Sequence, residues 1–314
     1  MIEVAETTQS LQSAEATTEQ DFGAWMTSTQ QRVERALDAR LPSADLEPRR
    51  LHEAMRYAVL GGGKRVRPLL TFAAGELTGG APPRVERVAV AVELIHAYSL
   101  VHDDLPCMDD DVLRRGRPTC HVRFDVATAM LAGDALQSEA TMVIVEDPIA
   151  FEPQRNAELL RLFALACGSR GMAGGQAIDL AGIGKTFSLP ELEQMHRLKT
   201  GALIRAAVLL GAGCGEALPA GEQAALAHFA DLAGLAFQVV DDILDVEASS
   251  SELGKTAGKD AMQNKPTYVT ILGLRAAKAK ATRLREEARS ALAVFGERAH
   301  RLGEIADFIT LRKS

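Results

Sequence analysis

The chain has 314 residues, of which 47% are hydrophobic, only 4% aromatic and 25% charged, and its formal net charge is −7. This is enough length and apolar content to bury a substantial core in one or two domains, and the acidic balance excludes nucleic-acid binding through bulk electrostatics. No charge-free apolar stretch reaches the roughly 20 residues that cross a bilayer, because His, Asp, Glu or Gly interrupts each long run, so no membrane span is expected.

Residues 1–20, rich in Thr, Gln, Glu and Ser, lack both an apolar signal core and an Arg-rich amphipathic pattern. They read as a disordered tail ahead of a single all-α domain over 21–314. Helical periodicity rich in Ala and Leu predicts segments near 22–40, 48–60, 66–78, 84–105, 124–146 and 155–172, separated by Gly or Pro. Further segments follow near 189–213, 220–245 and 265–295, with a short last helix and no repeat of fixed period. EDPIAFEP reads as a surface loop. EASSSELGKTAGKDAMQNK is long and polar, and its lysines from Lys255 to Lys265 beside an acid cluster favour a lid over a plain connector.

Cys107, Cys120, Cys167 and Cys214 form no CxxC pair, so they are expected to be reduced and mostly buried, which points to a cytoplasmic address. Cys107 has no paired base in its motif and reads as filler between ligands.

Two acid clusters carry the chemistry. DDLPCMDDD (103–111) follows the apolar run AVAVELIHAYSLVH, and DDILD (241–245) follows LAGLAFQVV. Ionised carboxylates at the ends of core helices lose several kcal/mol on leaving water unless cations compensate them. Magnesium is the natural compensator, being a hard ion that takes one or two carboxylates and completes its shell with water and substrate phosphate. Basic residues are grouped to match, with Lys64, Arg65 and Arg67 in GGGKRVRP and Arg114, Arg115 and Arg117 in LRRGRP. A small metal-bound diphosphate is the expected ligand.

Asp241 and Asp245 stand one turn apart and share a helix face. Asp103 and Asp109, six residues apart, would point roughly 120° apart on a regular helix. Pro106 is therefore expected to open the helix and return Asp109 beside Asp103. His96, seven residues before Asp103, shares its face about 10 Å away. An inward His is commonly a satisfied core residue, and it is the register with Asp103 that favours a site role.

GGGKRVRP, HAYSLVHDDLPCMDDDVLRRGRPT, GMAGGQAIDL, KTG and FQVVDDILD together resemble the trans-polyprenyl diphosphate synthases, with a likeness to the bacterial farnesyl-type members from about Leu51 to the C-terminal helices. The resemblance implies ten or more mostly antiparallel helices around a central cavity, usually in a homodimer. It implies that dimethylallyl and then geranyl diphosphate condense head to tail with isopentenyl diphosphate. Asp103 and Asp109 would bind two Mg2+ ions and Asp241 a third (Mn2+ being an alternative), supported by Asp104 and Asp245. Arg114, Lys199 and Lys255 would hold the allylic diphosphate. Lys64, Arg67, His96 and Arg115 would hold isopentenyl diphosphate, with a turn at Gly63 allowing close backbone approach.

Catalysis would then be ionisation and placement rather than attack by a side chain. Thr200, the helix break at KTG and Gln238 could aim a hydroxyl, carbonyl or amide dipole at the cation, although Gln238 could equally serve a neighbour. Gln176 and Asp179 stand one turn apart on a Gly-rich segment, in supporting roles at most. Tyr98 and Ser99, about one turn before Asp103, are the candidates for a cavity floor that limits product length. Val112 and Val269 depart from the commonest pattern without touching an expected ligand. The alternatives are a geranylgeranyl synthase, a class I terpene cyclase and a non-catalytic synthase subunit; the cyclase needs only one diphosphate cradle, and the subunit would be expected to have lost its acid motifs.

Overall fold

The computed structural model describes residues 2–247 and 265–312, with side chains from residue 21 onward. Residues 2–20, expected as a disordered tail, are described as the first half of a helix without their side chains, and most of the expected lid, Lys255 included, lies outside the described residues. The described residues are helical almost throughout, as the sequence predicts from residue 21 onward. Its elements are α1 (Ile2–Arg40), α2 (Arg49–Val59), α3 (Val66–Leu77), α4 (Pro82–Asp103), α5 (Cys120–Arg123), α6 (Val126–Val145), α7 (Pro153–Cys167), α8 (Met172–Gly182), α9 (Leu189–His196), α10 (Ala202–Gly213) and α11 (Ala220–Glu247). After residue 264 come α12 (Tyr268–Leu272), α13 (Leu274–Ala291), a 3-10 segment (Ala293–Ala299) and α14 (His300–Leu311).

Local chemistry accounts for most boundaries. α4 starts on Pro82 and Pro83, whose fixed φ suits a first turn. Asp125 caps α6 by accepting from the Thr128 amide at 2.7 Å. Ser188 and Glu191 form a capping box for α9. The helix predicted over 265–295 is divided at Gly273, whose φ of 80° is outside the helical region. The segment predicted over 189–213 is interrupted at the KTG motif by a π-helical turn, Arg197–Gly201. GMAGGQAIDL forms a helix, α8, that the glycines had obscured.

LRRGRP folds into a two-stranded ribbon, β1 (Leu113–Arg114) and β2 (Arg117–Pro118), pairing Leu113 with Pro118 and Arg114 with Arg117. Arg115 and Gly116 make its turn with φ of 53° and 72°. Positive φ at both central residues is the type I′ requirement.

Two apolar clusters build the core. One gathers α2, α4, α6 and α7 around Leu94, Ile95, Leu136 and Ile144; the other gathers α11, α13 and α14 around Phe229, Leu284, Leu302 and Ile305. α3 and α10 serve both, with Phe72 and Leu203 in the first cluster and Leu70 and Ile204 in the second. Every residue of α3 except Glu76 is buried, so this helix has no solvent face. Each fully buried large apolar side chain contributes roughly 1.5–3 kcal/mol. α11 has the length and apolarity of a membrane span, but Leu226, Phe229, Ala230 and Val239 on it are fully buried among other helices.

Candidate active site

α4 stops at Asp103, and Pro106 lies in the tight coil that follows. The coil is tied back by Met108 N to Leu105 O at 2.9 Å, Asp109 N to Asp103 O at 2.9 Å and Asp111 N to Asp104 O at 3.2 Å. Asp110 takes a φ of 50° within it. Asp109 thereby returns to the backbone of Asp103. Burial raises the Asp103 carboxyl to about 6; Lys199 opposes the rise and Asp109 adds to it. A carboxylate destabilised in this way is one that an additional cation would stabilise.

Asp104 is turned away from the cavity and accepts from Arg114 Nε at 2.8 and 2.9 Å. This contact orients Arg114 at the cavity wall. Asp109 accepts from Lys265 Nζ at 2.8 Å, and Lys199 Nζ donates to Asp179 at 2.6 Å. Burial alone would raise the Asp179 carboxyl, but Lys199 and Lys265 outweigh it and hold Asp179 below its ordinary value. Lys199 lies on the π turn, against which α8 packs so closely that a Cβ on Gly175 would stand 2.1 Å from the Lys199 backbone nitrogen.

On α11, Asp241 pairs with Arg312 just beyond α14, and Asp245 is buried one turn further along. Asp242, also buried, accepts from Gln238 Nε2 at 2.9 Å and from the Tyr268 amide at 2.8 Å.

Between the clusters lies a cavity of about 510 Å3, lined at its charged end by Asp103, Asp241, Lys199 and Arg114. Arg67, His96 and Arg115 line it as a second basic group, and Tyr98, Ser99, Met172, Leu180 and Phe237 give it an apolar wall. A smaller cavity of about 200 Å3 shares Asp103, Arg114 and Lys199 and adds Asp109, Asp179, Gln238, Asp242 and Lys265. His96 is held well below its ordinary value, first by burial and then by Arg67 and Arg115, so it is a neutral donor or acceptor. A Cβ on Gly63, whose φ is 131°, would stand 2.6 Å from the Arg115 guanidinium carbon. The glycine is what lets that guanidinium lie on the loop, where it donates to the Gly62 carbonyl.

Lys64 precedes α3, and its ammonium is lowered by burial and by Arg312. Arg65 serves the fold: it donates to Glu93 at 2.6 Å, Glu34 at 2.7 Å and the Val59 carbonyl at 2.7 Å. Tyr98 meets His102 edge-on, with centroids 5.6 Å apart, and His102 Nε2 contacts the Met130 carbonyl on α6 at 2.9 Å. Ser99 Oγ donates to the His96 carbonyl at 2.8 Å.

Among the described residues, no cluster of three or more His, Cys, Asp or Glu is arranged to hold a metal unaided. Carboxylates facing each other across a cavity fit a hard cation that draws its remaining ligands from a phosphate-bearing substrate and water.

The model of the polyprenyl synthetase family matches residues 48–294. The chain belongs to that family. A probable farnesyl diphosphate synthase of Bradyrhizobium diazoefficiens is 47% identical over 290 residues, covering 90% of this chain and 85% of that protein. The crystal structure of an FPP/GFPP synthase from Zymomonas mobilis superposes with a TM-score of 0.83 at 41% identity, covering 92% of this chain and 99% of that one. A Helicobacter pylori geranyltransferase, solved in complex with magnesium and isoprenyl diphosphate, superposes with a TM-score of 0.80 at 31% identity, covering 91% of this chain and 95% of that one. Membership makes the chain a prenyltransferase of isoprenoid synthesis, and its fold an all-α isoprenyl diphosphate synthase bundle. In this polyprenyl synthetase, the cavity-side residues to which sequence reasoning gives no role are Arg312 and Asp242, while Lys265 is singled out only as a lysine of the expected lid. For Asp242 a signal existed, because it stands four residues after Gln238, on the same helix face.

Proposed function

We propose that the chain condenses isopentenyl diphosphate with dimethylallyl and then geranyl diphosphate, head to tail, to give (2E,6E)-farnesyl diphosphate. The observation that carries this reading is one cavity with carboxylates of both acid clusters at its mouth, a second basic group at Arg67, His96 and Arg115, and an apolar wall beyond. A single-cradle terpene cyclase has no use for that second group.

In this reading Asp103, Asp109 and Asp241 hold Mg2+, three ions per site, and the same oxygen donors accept Mn2+. The bound cation would offset the charge that develops on the leaving diphosphate. Arg114, Lys199 and Lys255 grip that allylic diphosphate, and Lys64, Arg67, neutral His96 and Arg115 at the Gly63 turn grip isopentenyl diphosphate. Asp104 acts by orienting Arg114, and Asp245 by supporting the α11 side of the site. As the carbon–oxygen bond breaks, its electron pair leaves with the diphosphate. The isopentenyl double bond then forms the new carbon–carbon bond, and the proton released passes to the departed diphosphate. The apolar wall excludes water from the cation, and Thr200, hydrogen-bonded to Gln238, supplies an oxygen dipole. Tyr98, with Ser99 beside it, closes the floor near fifteen carbons.

The acting form is a homodimer. α6 exposes Val126, Met130, Leu131, Met142 and Val145, an apolar surface that a second copy would cover isologously. Four free cysteines, three of them buried, suit the cytoplasm.

Incubation of purified protein with Mg2+, dimethylallyl and isopentenyl diphosphates, followed by chromatography, tests the reading. A fifteen-carbon product is expected, with Tyr98→Ala giving longer chains. A twenty-carbon wild-type product would favour a geranylgeranyl synthase, and no consumption of isopentenyl diphosphate would overturn the assignment.

A further inference from the structure

Gln238 is three residues before Asp241 on α11 and four before Asp242. Its Nε2 donates to Asp242 Oδ1 at 2.9 Å, and its Oε1 accepts from Thr200 Oγ1 at 3.1 Å. Both Asp242 oxygens accept N–H donors, Oδ1 from the amide NH2 and Oδ2 from the Tyr268 backbone, so Asp242 sets the orientation of that amide. The NH2 end must therefore face Asp242, which leaves the carbonyl end facing Thr200. Thr200 has a single hydroxyl proton and must donate it to that carbonyl. Its lone pairs are then free for the larger cavity, which Thr200 lines and Gln238 does not. Asp242 Oδ2 is itself fastened by the Tyr268 amide at 2.8 Å, so the first member of the series is anchored to α12 as well as to α11.

We propose that Asp242 is a positioning residue: by fixing the Gln238 amide it turns the Thr200 hydroxyl oxygen, rather than its proton, toward the carbon that becomes electron-poor as the allylic diphosphate ionises. The inference rests on the prenyl-transfer reading above and refines it. Gln238 acts through Thr200 instead of facing the cation. Without an acceptor-only partner, the amide of Gln238 can turn over and Thr200 can point its proton into the cavity, reversing the dipole at the place where positive charge develops. A merely structural Asp242 would have no reason to couple to Thr200.

A double-mutant cycle on kcat tests this. Asp242→Asn and Thr200→Val are each expected to lower kcat about 10- to 100-fold, as supporting and orienting groups do. KM for both diphosphates should stay near the wild-type value, and the double variant should be no slower than the slower single one, because both remove the same dipole. Thr200→Ser keeps the hydroxyl and should restore most of the rate. Multiplying effects, or an Asp242→Asn defect confined to KM, would overturn the proposal. If Asp242→Asn does not fold, Gln238→Met takes its place in the cycle, since it leaves the Tyr268 bond to Asp242 intact, and additivity with Thr200→Val again overturns the relay. Wild-type enzyme that forms no prenyl product would instead defeat the underlying reading, before any variant is compared.

Discussion

The two acid clusters reach the same cavity by opposite means. The first needs its helix to end: α4 stops at Asp103, and the coil around Pro106 folds back until the Asp109 amide donates to the Asp103 carbonyl at 2.9 Å. The second needs its helix to continue: α11 runs unbroken through DDILD, and the one-turn period sorts the carboxylates into Asp241 at the cavity, Asp242 bonded to Gln238 one turn back and Asp245 buried one turn after Asp241. A broken helix can bring distant positions together, but it depends on tertiary fastening. A continuous helix needs little fastening and is restricted to spacings of three and four.

The largest expected effect tests whether both sides serve the same charge. Asp103→Asn and Asp241→Asn should each lower kcat/KM on the order of 10³-fold in a prenyl-transfer assay, since in the proposed reading each removes a carboxylate that would hold the cation offsetting the charge on the departing diphosphate. An unchanged rate in either would break the symmetry between the clusters.

Proline should have opposite consequences on the two sides. Ile243→Pro removes a helical hydrogen bond inside α11 and should cost about 3 kcal/mol or more, read from the denaturant midpoint. Pro106→Ala, which relieves a helix-breaking constraint outside α4, should leave that midpoint nearly unchanged and raise the metal concentration needed for half-maximal activity. A matching loss of stability in both variants would remove the distinction.

Fastening of the first cluster is tested at Gly133 on α6. A Cβ there would stand 2.0 Å from His102 Nε2, so Gly133→Ala should drive the imidazole off the Met130 carbonyl. The lost contact should cost about 1–2 kcal/mol in a thermal melt, and the released Tyr98 edge should broaden the product-length distribution seen by chromatography.

The smallest effect lies at the start of the same helix. The Thr128 amide, with Arg50 and the Thr128 hydroxyl, holds the Asp125 carboxyl down at about 2 against an ordinary 3.8. A carboxyl lowered on folding contributes stability that is present above the ordinary value and lost as pH falls toward the lowered one. Asp125→Ala should therefore melt below wild type at neutral pH, and the difference should shrink as pH falls from about 4 toward 2.

Much of this was legible in the residues. The helical period located most of the long helices to within a few residues, α1 excepted, which starts at Ile2 and not near residue 22, because an amphipathic or fully apolar repeat needs no partner to be recognised. Pro106 was readable as a helix end for a steric reason that is local. α8 was hidden because Gly174 and Gly175 lower helix propensity, while the close packing against Lys199 that requires Gly175 is not local. Arg65 and Arg67 look alike in GGGKRVRP. Only the fold gives Arg65 to Glu34 and Glu93 and leaves Arg67 lining the cavity.

By itself the sequence determined the helical class, the two carboxylate clusters with their separate basic groups, and the one-turn spacing in DDILD, since each depends on residue type and near-neighbour geometry alone. Only the tertiary structure decided which aspartate does what: Asp103 and Asp241 meet across one cavity, Asp104 turns to Arg114, and Asp242 turns to Gln238 and Tyr268. The reason is that a carboxylate's role is set by its partners, and here those partners lie on other helices or a helical turn away, beyond what a run of aspartates can reveal.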